Sequence, residues 1–397
     1  MIEGKNSFSK RYSKGGASVL RLPVNKLKHG MILAQSIFNH HGASYLVKGQ
    51  PITQSYINQL QKIGIPTITV TSSNPNFKLM PPEDVVAEET RADAIEHVYD
   101  AFQETEKSGH LDVDMMEDVS EKIIFDLIDR KANLVQLTDI RLHDTYTFGH
   151  CVNVAILSSM LGMLCHYTKN ELQILTLGAL LHDLGKIGVP EEILTKTTRL
   201  NPDEFDLIKK HPLAGSDRIH AMENDLPHAT LLATIASEHH EHIDGSGYPR
   251  GLKGDKIHRF AKIVAIADVY DALTSERPYK KAYTPNIAHN IMCNVTHGQF
   301  DPDLLTLFFN NVALYPVGTV LKTDYGYGIV RESAFGKTET PTIVVFANLE
   351  GRSIEPYTLD LSTVEDGNRK IQLVIADNEL RHFIHELSFD PSMYLQS

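Results

Sequence analysis

Five short segments of this chain carry side chains able to ligate metal ions. They are the stretch from Asp144 to His150, the pair His182-Asp183 with Lys186 behind it, Lys210-His211-Pro212, Glu238-His239-His240-Glu241, and Asp268 with Asp271. The adjacent His-Asp pair is the most informative. Neighbouring residues on a helix point about 100° apart. Such a pair can offer an imidazole to one ion while its carboxylate bridges to a second, and His239-His240 can divide its ligands in the same way. All candidate ligands are imidazole or carboxylate and none is thiolate. That set suits iron, manganese, cobalt, nickel or zinc and disfavours a structural zinc site. Two such ions roughly 3.5–4 Å apart clamp a phosphoryl group and deprotonate a shared water, giving a hydroxide nucleophile at neutral pH. Asp268 lies on the apolar helix predicted over 260–273, where a buried carboxylate needs a partner or a metal.

The elements that must hold these groups read as helices joined by loops from about residue 143 to 311. Asn201-Pro202-Asp203-Glu204 is a helix start: Asn caps, Pro fits the first turn and Glu favours the dipole. Asn170 is the expected cap of the helix leading into Leu180–Leu184. Gly185 is expected to end that helix in a left-handed conformation, and Pro212 to break a helix just after His211. Residues 91–140 also read as helical. In front, residues 19–71 form a small module, with strands over 31–37 and 44–47, a turn at Asn39–Gly42, a helix over 53–63 and a strand over 67–70. Residues 71–90, rich in Ser, Asn, Pro and acidic residues, read as a linker. After Pro316, four β-rich runs (GTVLKT, YGIVRE, TIVVFA, RKIQLVIA) precede a short helical tail. The domains expected are 1–75, a linker and helix over 76–117, the catalytic domain over 118–312, and a β-rich module over 313–397. The fold class is mainly α with a small α/β front module.

The chain has 397 residues, a net charge of −12 and 20 histidines, many of them between residues 143 and 258. That charge disfavours a DNA or RNA polymer or an anionic membrane as partner, so metal ions and a local basic cluster must neutralise any phosphate. No apolar run approaches about 18 residues, so no membrane span is expected. The start lacks an apolar signal core, and the 3 scattered cysteines fit a reducing compartment. The expected location is the cytoplasm. His40-His41 reads as a solvated turn.

The run HDLGK (His182–Lys186) resembles the signature of the HD phosphohydrolase superfamily. The run HHEHIDGSGYPRGLKGDKI (His239–Ile257) is similar to the extended HD-GYP signature, with Gly247-Tyr248-Pro249 as its GYP. IVAIADVYDALTSERPYKKAY (Ile263–Tyr283) and HGQFDP (His297–Pro302) resemble that family's later blocks. The front module resembles a small domain that often precedes HD-GYP domains. The resemblance implies an all-helical catalytic domain and a metal-dependent phosphodiesterase acting on cyclic dinucleotides. The substrate is chiefly cyclic di-GMP, opened to the linear dinucleotide pGpG or taken on to GMP. It implies two divalent ions (iron or manganese first; nickel, cobalt or zinc as alternatives) held by His150, His182, Asp183, His211, His239, His240 and Asp268. Asp183 would bridge the ions and Lys186 would sit beside the scissile phosphate. Arg277 and Lys280 would meet phosphates, and Tyr248 and Asp244 would contact substrate. Gly245, Gly247 and Pro249 give Tyr248 an alternative, loop-shaping role.

Some family members carry Glu four residues before the first ligand His, where it helps hold a third metal. Here that position is Tyr146, which favours two metals and arrest at pGpG, although His143 and Asp144 are close enough to compensate. Lys262 replaces a common Arg and keeps the charge. Three alternatives stay open: cyclic GMP-AMP as substrate, another nucleotide, and a cyclic-dinucleotide receptor with little turnover. A homodimer is a further expectation.

Overall fold

In a computed structural model, the described residues run from 19 to 375, apart from 25–26, 35, 39–43, 63–66, 72–84, 130–147, 197, 276–281, 297, 318, 334–335 and 365–370. The His40-His41 turn, the residues around Tyr146, the segment holding Arg277 and Lys280, and the expected helical tail lie outside them.

The body is helical. It comprises α2 (Glu88–Ser108), α3 (Val113–Asp129), α4 (Phe148–Leu164), α5 (Lys169–Leu181), α6 (Glu191–Leu194), α7 (Pro202–Ile208), α8 (His211–Ala221), α9 (Ala229–Glu238), α10 (Arg259–Thr274), α11 (Pro285–Asn290) and α12 (Pro302–Phe309). Most of these helices share one apolar core. At its centre is α4, whose residues from Gly149 to Gly162 are all buried. A helix apolar on every side is stable only when surrounded. Ile156 of α4 is fully buried. Ile156→Ala should cost about 3 kcal/mol, measurable by chemical denaturation. Val85 and Val86, at the end of the stretch read as linker, are buried in this same core.

Three local expectations are corrected. The cap of α5 is Thr168, not Asn170. The Thr168 hydroxyl accepts from the Glu171 N–H at 3.3 Å, and Glu171 accepts from the Thr168 N–H at 2.8 Å. Thr and Glu at this spacing form a reciprocal capping box, which Asn170, already inside the first turn, cannot replace. Pro212 opens α8 in its first turn, where its missing N–H costs nothing, so it breaks no helix. Gly185 is not left-handed; it lies in a 3₁₀ turn, Leu184–Gly188, that continues from α5. The expected cap at Asn201 is present, with Glu204 completing its capping box.

In front of the body, β1 (Val19–Pro23), β5 (Thr67–Thr71) and β2 (Ile32–Leu33) form an antiparallel sheet in the order β1-β5-β2, and β3 (Ile37–Phe38) pairs with β4 (Ser44–Leu46). Ile57 and Leu60 of α1 (Gln54–Lys62) share a small core with Leu33, Ile68 and Val70. The single strand expected over 31–37 is therefore two short strands in different sheets. β1 was not expected, because its pairing with β5 links residues far apart in sequence.

Behind the body, β6 (Val320–Thr323), β7 (Gly326–Glu332), β8 (Thr342–Ala347), β9 (Ser353–Asp360) and β10 (Ile371–Val374) form an antiparallel sheet in the order β10-β6-β7-β8-β9. β9 escaped the sequence reading. It carries Pro356, has no buried face and sits at the edge, the one position where Pro removes no ladder bond. The sheet is tied to the end of α12 by Gly336 N–H donating to Asn310 O at 3.0 Å and the Thr338 hydroxyl donating to Phe309 O at 2.9 Å.

Candidate metal centre

Three of the candidate ligands sit at helix ends, and this aims them. His182 follows the last residue of α5, His211 is the first residue of α8, and His239 follows the last residue of α9. The last carbonyls of a helix lack intrahelical donors. The imidazoles fill that need: Nδ1 of His182 lies 2.7 Å from Ala179 O, Nδ1 of His211 lies 2.7 Å from Ile208 O, and Nδ1 of His239 lies 2.8 Å from Ala236 O. A carbonyl only accepts, so each Nδ1 carries the proton and each Nε2 presents a lone pair. The Nε2 atoms of His211 and His239 are 3.2 Å apart. The pairs His182-Asp183 and His239-His240 therefore lie just past helix ends, not 100° apart on a helix as the sequence suggested. The His239 and His240 ring centroids lie 4.1 Å apart.

His150 comes from the first turn of α4 and Asp268 from the middle of α10. His150 Nε2 lies 3.0 Å from Asp268 Oδ1, and His240 Nδ1 lies 3.9 Å from Asp268 Oδ2. Asp183 is central. Its Oδ1 is 3.3 Å from His211 Nε2 and 3.9 Å from His239 Nε2, whereas its Oδ2 is 3.4 Å from His182 Nε2 and 3.9 Å from His150 Nε2. Its two oxygens thus face two groups of imidazoles. Lys186 donates to Oδ2 at 2.5 Å.

These residues fit divalent metals. Three groups bring their ligand atoms within 4.8 Å of one another: His211, His239 and His240; His150, His182 and Asp183; and His182, His239 and Asp268. His182 Nε2 and Asp183 Oδ1 are buried with no hydrogen-bond partner. Buried polar atoms are almost always satisfied, so such orphans within these clusters call for a ligand. Burial lowers His182 and His239, and takes His211 down to about 3 and His240 to about 4, which keeps these imidazoles neutral and ready to ligate. Burial also opposes charge on His150, but Asp268 and Asp271 outweigh it and raise that group to about 9.

The known HD domain family matches residues 122–304. A cyclic di-GMP phosphodiesterase of Pseudomonas aeruginosa is 32% identical over 274 residues, 68% of this chain and 65% of that protein. This stretch resembles an HD-GYP domain. A 3'3'-cGAMP-specific phosphodiesterase of Vibrio cholerae is 34% identical over 171 residues, 43% of this chain and 36% of that protein. The chain thus spans under two thirds of the length of either relative. In fold, it resembles the structure of an HDG"Y"P protein from Bdellovibrio bacteriovorus, with a TM-score of 0.50 at 19% identity over 73% of this chain and 98% of that one. Among the described residues, no helix is long and apolar enough to cross a membrane.

The GYP loop of this domain is clamped by two glutamates. Glu238 accepts from Arg250 Nη2 at 2.7 Å and from the His258 N–H at 2.7 Å. Glu241 accepts from the backbone N–H of Arg250 at 2.7 Å and of Leu252 at 2.8 Å. Gly247 is required here: a Cβ would fall 2.3 Å from His242 N and 2.5 Å from His240 O. The clamp lays Tyr248 against the site, its ring stacked on His240 at 4.8 Å. One face of Tyr248 is thus taken by a candidate ligand. Asp244 is exposed and accepts from the Ser246 N–H at 2.8 Å, which shapes the loop. Lys262 pairs with Asp301 at 3.1 Å.

Sequence reasoning noted Asp271 but gave it no role, and passed over Asn153 and Ser275. Asp271 Oδ2 holds His150 Nδ1 at 2.7 Å, and its Oδ1 accepts from Asn153 at 2.9 Å and from Ser275 at 2.9 Å. The available signal was spacing. Asn153 stands three residues after His150, and Ser275 four after Asp271, each on one helix face.

Proposed function

We propose that this protein is a metal-dependent phosphodiesterase that hydrolyses cyclic di-GMP to pGpG. The observation that carries the reading is the convergence of the ligand atoms of His150, His182, Asp183, His211, His239, His240 and Asp268, with Lys186 against Asp183. Divalent ions bound there would polarise the phosphoryl group and lower the pKa of an attacking water. Two ions, iron or manganese, suit this all-N/O donor set, with Asp183 between them.

The chain's own groups do the rest. The helix-end carbonyls fix His182, His211 and His239 in the ligating tautomer. Asp183 sets the spacing of the two ligand groups. Lys186, whose side chain is 21% exposed, neutralises a non-bridging phosphoryl oxygen as charge develops. Water attacks phosphorus in line and the bond to the 3′ oxygen breaks. Arg277 and Lys280 are assigned to the substrate phosphates, and Tyr146, in place of a third-metal glutamate, favours stopping at pGpG. The preference of the Vibrio cholerae relative supports cyclic GMP-AMP as the second reading. The domain limits of 118–312 for the catalytic part and 313–397 for the β-rich part belong to this proposal.

The test is incubation with Mn²⁺ or Fe²⁺ and cyclic di-GMP, products being separated by chromatography, with His182→Ala/Asp183→Ala as control. Linear dinucleotide absent from the control supports the reading. Faster turnover of cyclic GMP-AMP would favour the second reading, and tight binding without turnover would make the protein a receptor. Lys186→Met should lower turnover about a hundredfold while leaving bound metal, measured by elemental analysis, unchanged.

A further inference from the structure

A buried guanidinium outside the 122–304 segment reaches towards this centre. Arg91 of α2 is 4% exposed, although a buried arginine must find acceptors. Its Nη1 donates to Asn153 Oδ1 at 2.8 Å. A guanidinium has no acceptor, so the Asn153 atom it meets must be the carbonyl oxygen. The amide NH₂ is thereby turned to Asp271, to whose Oδ1 it donates at 2.9 Å. With Oδ1 also accepting from Ser275, Oδ2 is left for His150 Nδ1 at 2.7 Å. Asn153 and Asp271 are each 3% exposed, so water does not compete along this path.

We propose that Arg91 is a positioning residue for His150, acting through Asn153 and Asp271 to hold that imidazole's Nε2 towards the metals. The inference rests on reading His150 as a ligand. The groups that orient a ligating histidine from behind set metal affinity by about 10- to 100-fold. Here the last link is supplied by a helix that precedes the catalytic segment. One turn earlier on α2, Glu88 accepts from the Ser36 N–H of the front module at 2.6 Å. The front module and the metal centre are therefore joined through one turn of α2.

Mn²⁺ affinity of the full chain, measured by titration calorimetry well below the melting temperature, tests this together with kcat and KM for cyclic di-GMP. Arg91→Met should weaken Mn²⁺ binding about 10-fold or more, and Arg91→Lys, which keeps a charged donor, should recover most of it. Val98→Ala, in the buried core on the same helix, should lower the melting temperature and leave affinity within about twofold. Arg91→Met/Asn153→Leu should bind no more weakly than Asn153→Leu alone. An Arg91→Met protein that melts early but binds Mn²⁺ like wild type would overturn the proposal and leave the phosphodiesterase reading standing. A wild type that binds Mn²⁺ without hydrolysing cyclic dinucleotides would remove that reading, and the affinities would still judge Arg91. No Mn²⁺ uptake by the wild type would overturn both.

Discussion

Asp183→Asn is expected to lower turnover about a thousandfold and to reduce bound metal, although the side chain keeps its shape. Asp183 is 1% exposed. Burial opposes its charge, but the Lys186 ammonium beside it holds its carboxyl well below the usual carboxylate range. It is therefore ionised at every working pH, and its two oxygens face separate groups of imidazoles. An amide supplies one weak oxygen ligand and one NH₂ that points protons at a cation, so it cannot serve both groups. Lys186 would also lose its anion. The measurement is kcat with Mn²⁺ at saturating cyclic di-GMP, with metal content by elemental analysis. Turnover within about tenfold of wild type would show that Asp183 is not central to the chemistry.

The second large effect falls on stability. Gly185→Ala is expected to cost about 3 kcal/mol or more. A Cβ at this position would lie 1.9 Å from His211 O and 2.5 Å from Gly215 N, both backbone atoms of α8. Flexible side chains can swing away from an added methyl, but two helix backbones cannot. The strain would push α8, with His211 at its start, away from Asp183, so metal should be lost along with stability. Gly188→Ala, in the same 3₁₀ turn, is the matched control. Its Cβ would meet only Arg218 Nη2 at 3.9 Å, an ordinary contact, and the change should stay within about 0.5 kcal/mol of wild type. Chemical denaturation of the two variants side by side decides the point. Equal midpoints would mean that α8 is free to shift.

The sequence by itself determined which groups could hold a metal. A ligand set of imidazole and carboxylate, a lysine three residues after the central aspartate, and a loop needing glycine are written in residue types and short spacings. The helical body was legible for the same reason, since apolar periodicity and caps such as Asn201 act within one or two turns. What only the tertiary structure decided lies between residues far apart. His150 meets Asp271 across 121 positions and Arg91 meets Asn153 across 62, and neither pairing has a local signal. Gly185 looked like a helix terminator, yet it is there because two backbones approach too closely for any Cβ. Asn170 looked like a cap, yet Thr168 two residues earlier satisfies two N–H groups at once. β9 carries no buried face and contains Pro356, so only its place at the sheet edge makes it a strand. Residue chemistry is a property of the chain. The direction in which each Nε2 lone pair points is a property of packing, because it depends on which helix carbonyl or distant carboxylate holds the opposite side of the ring.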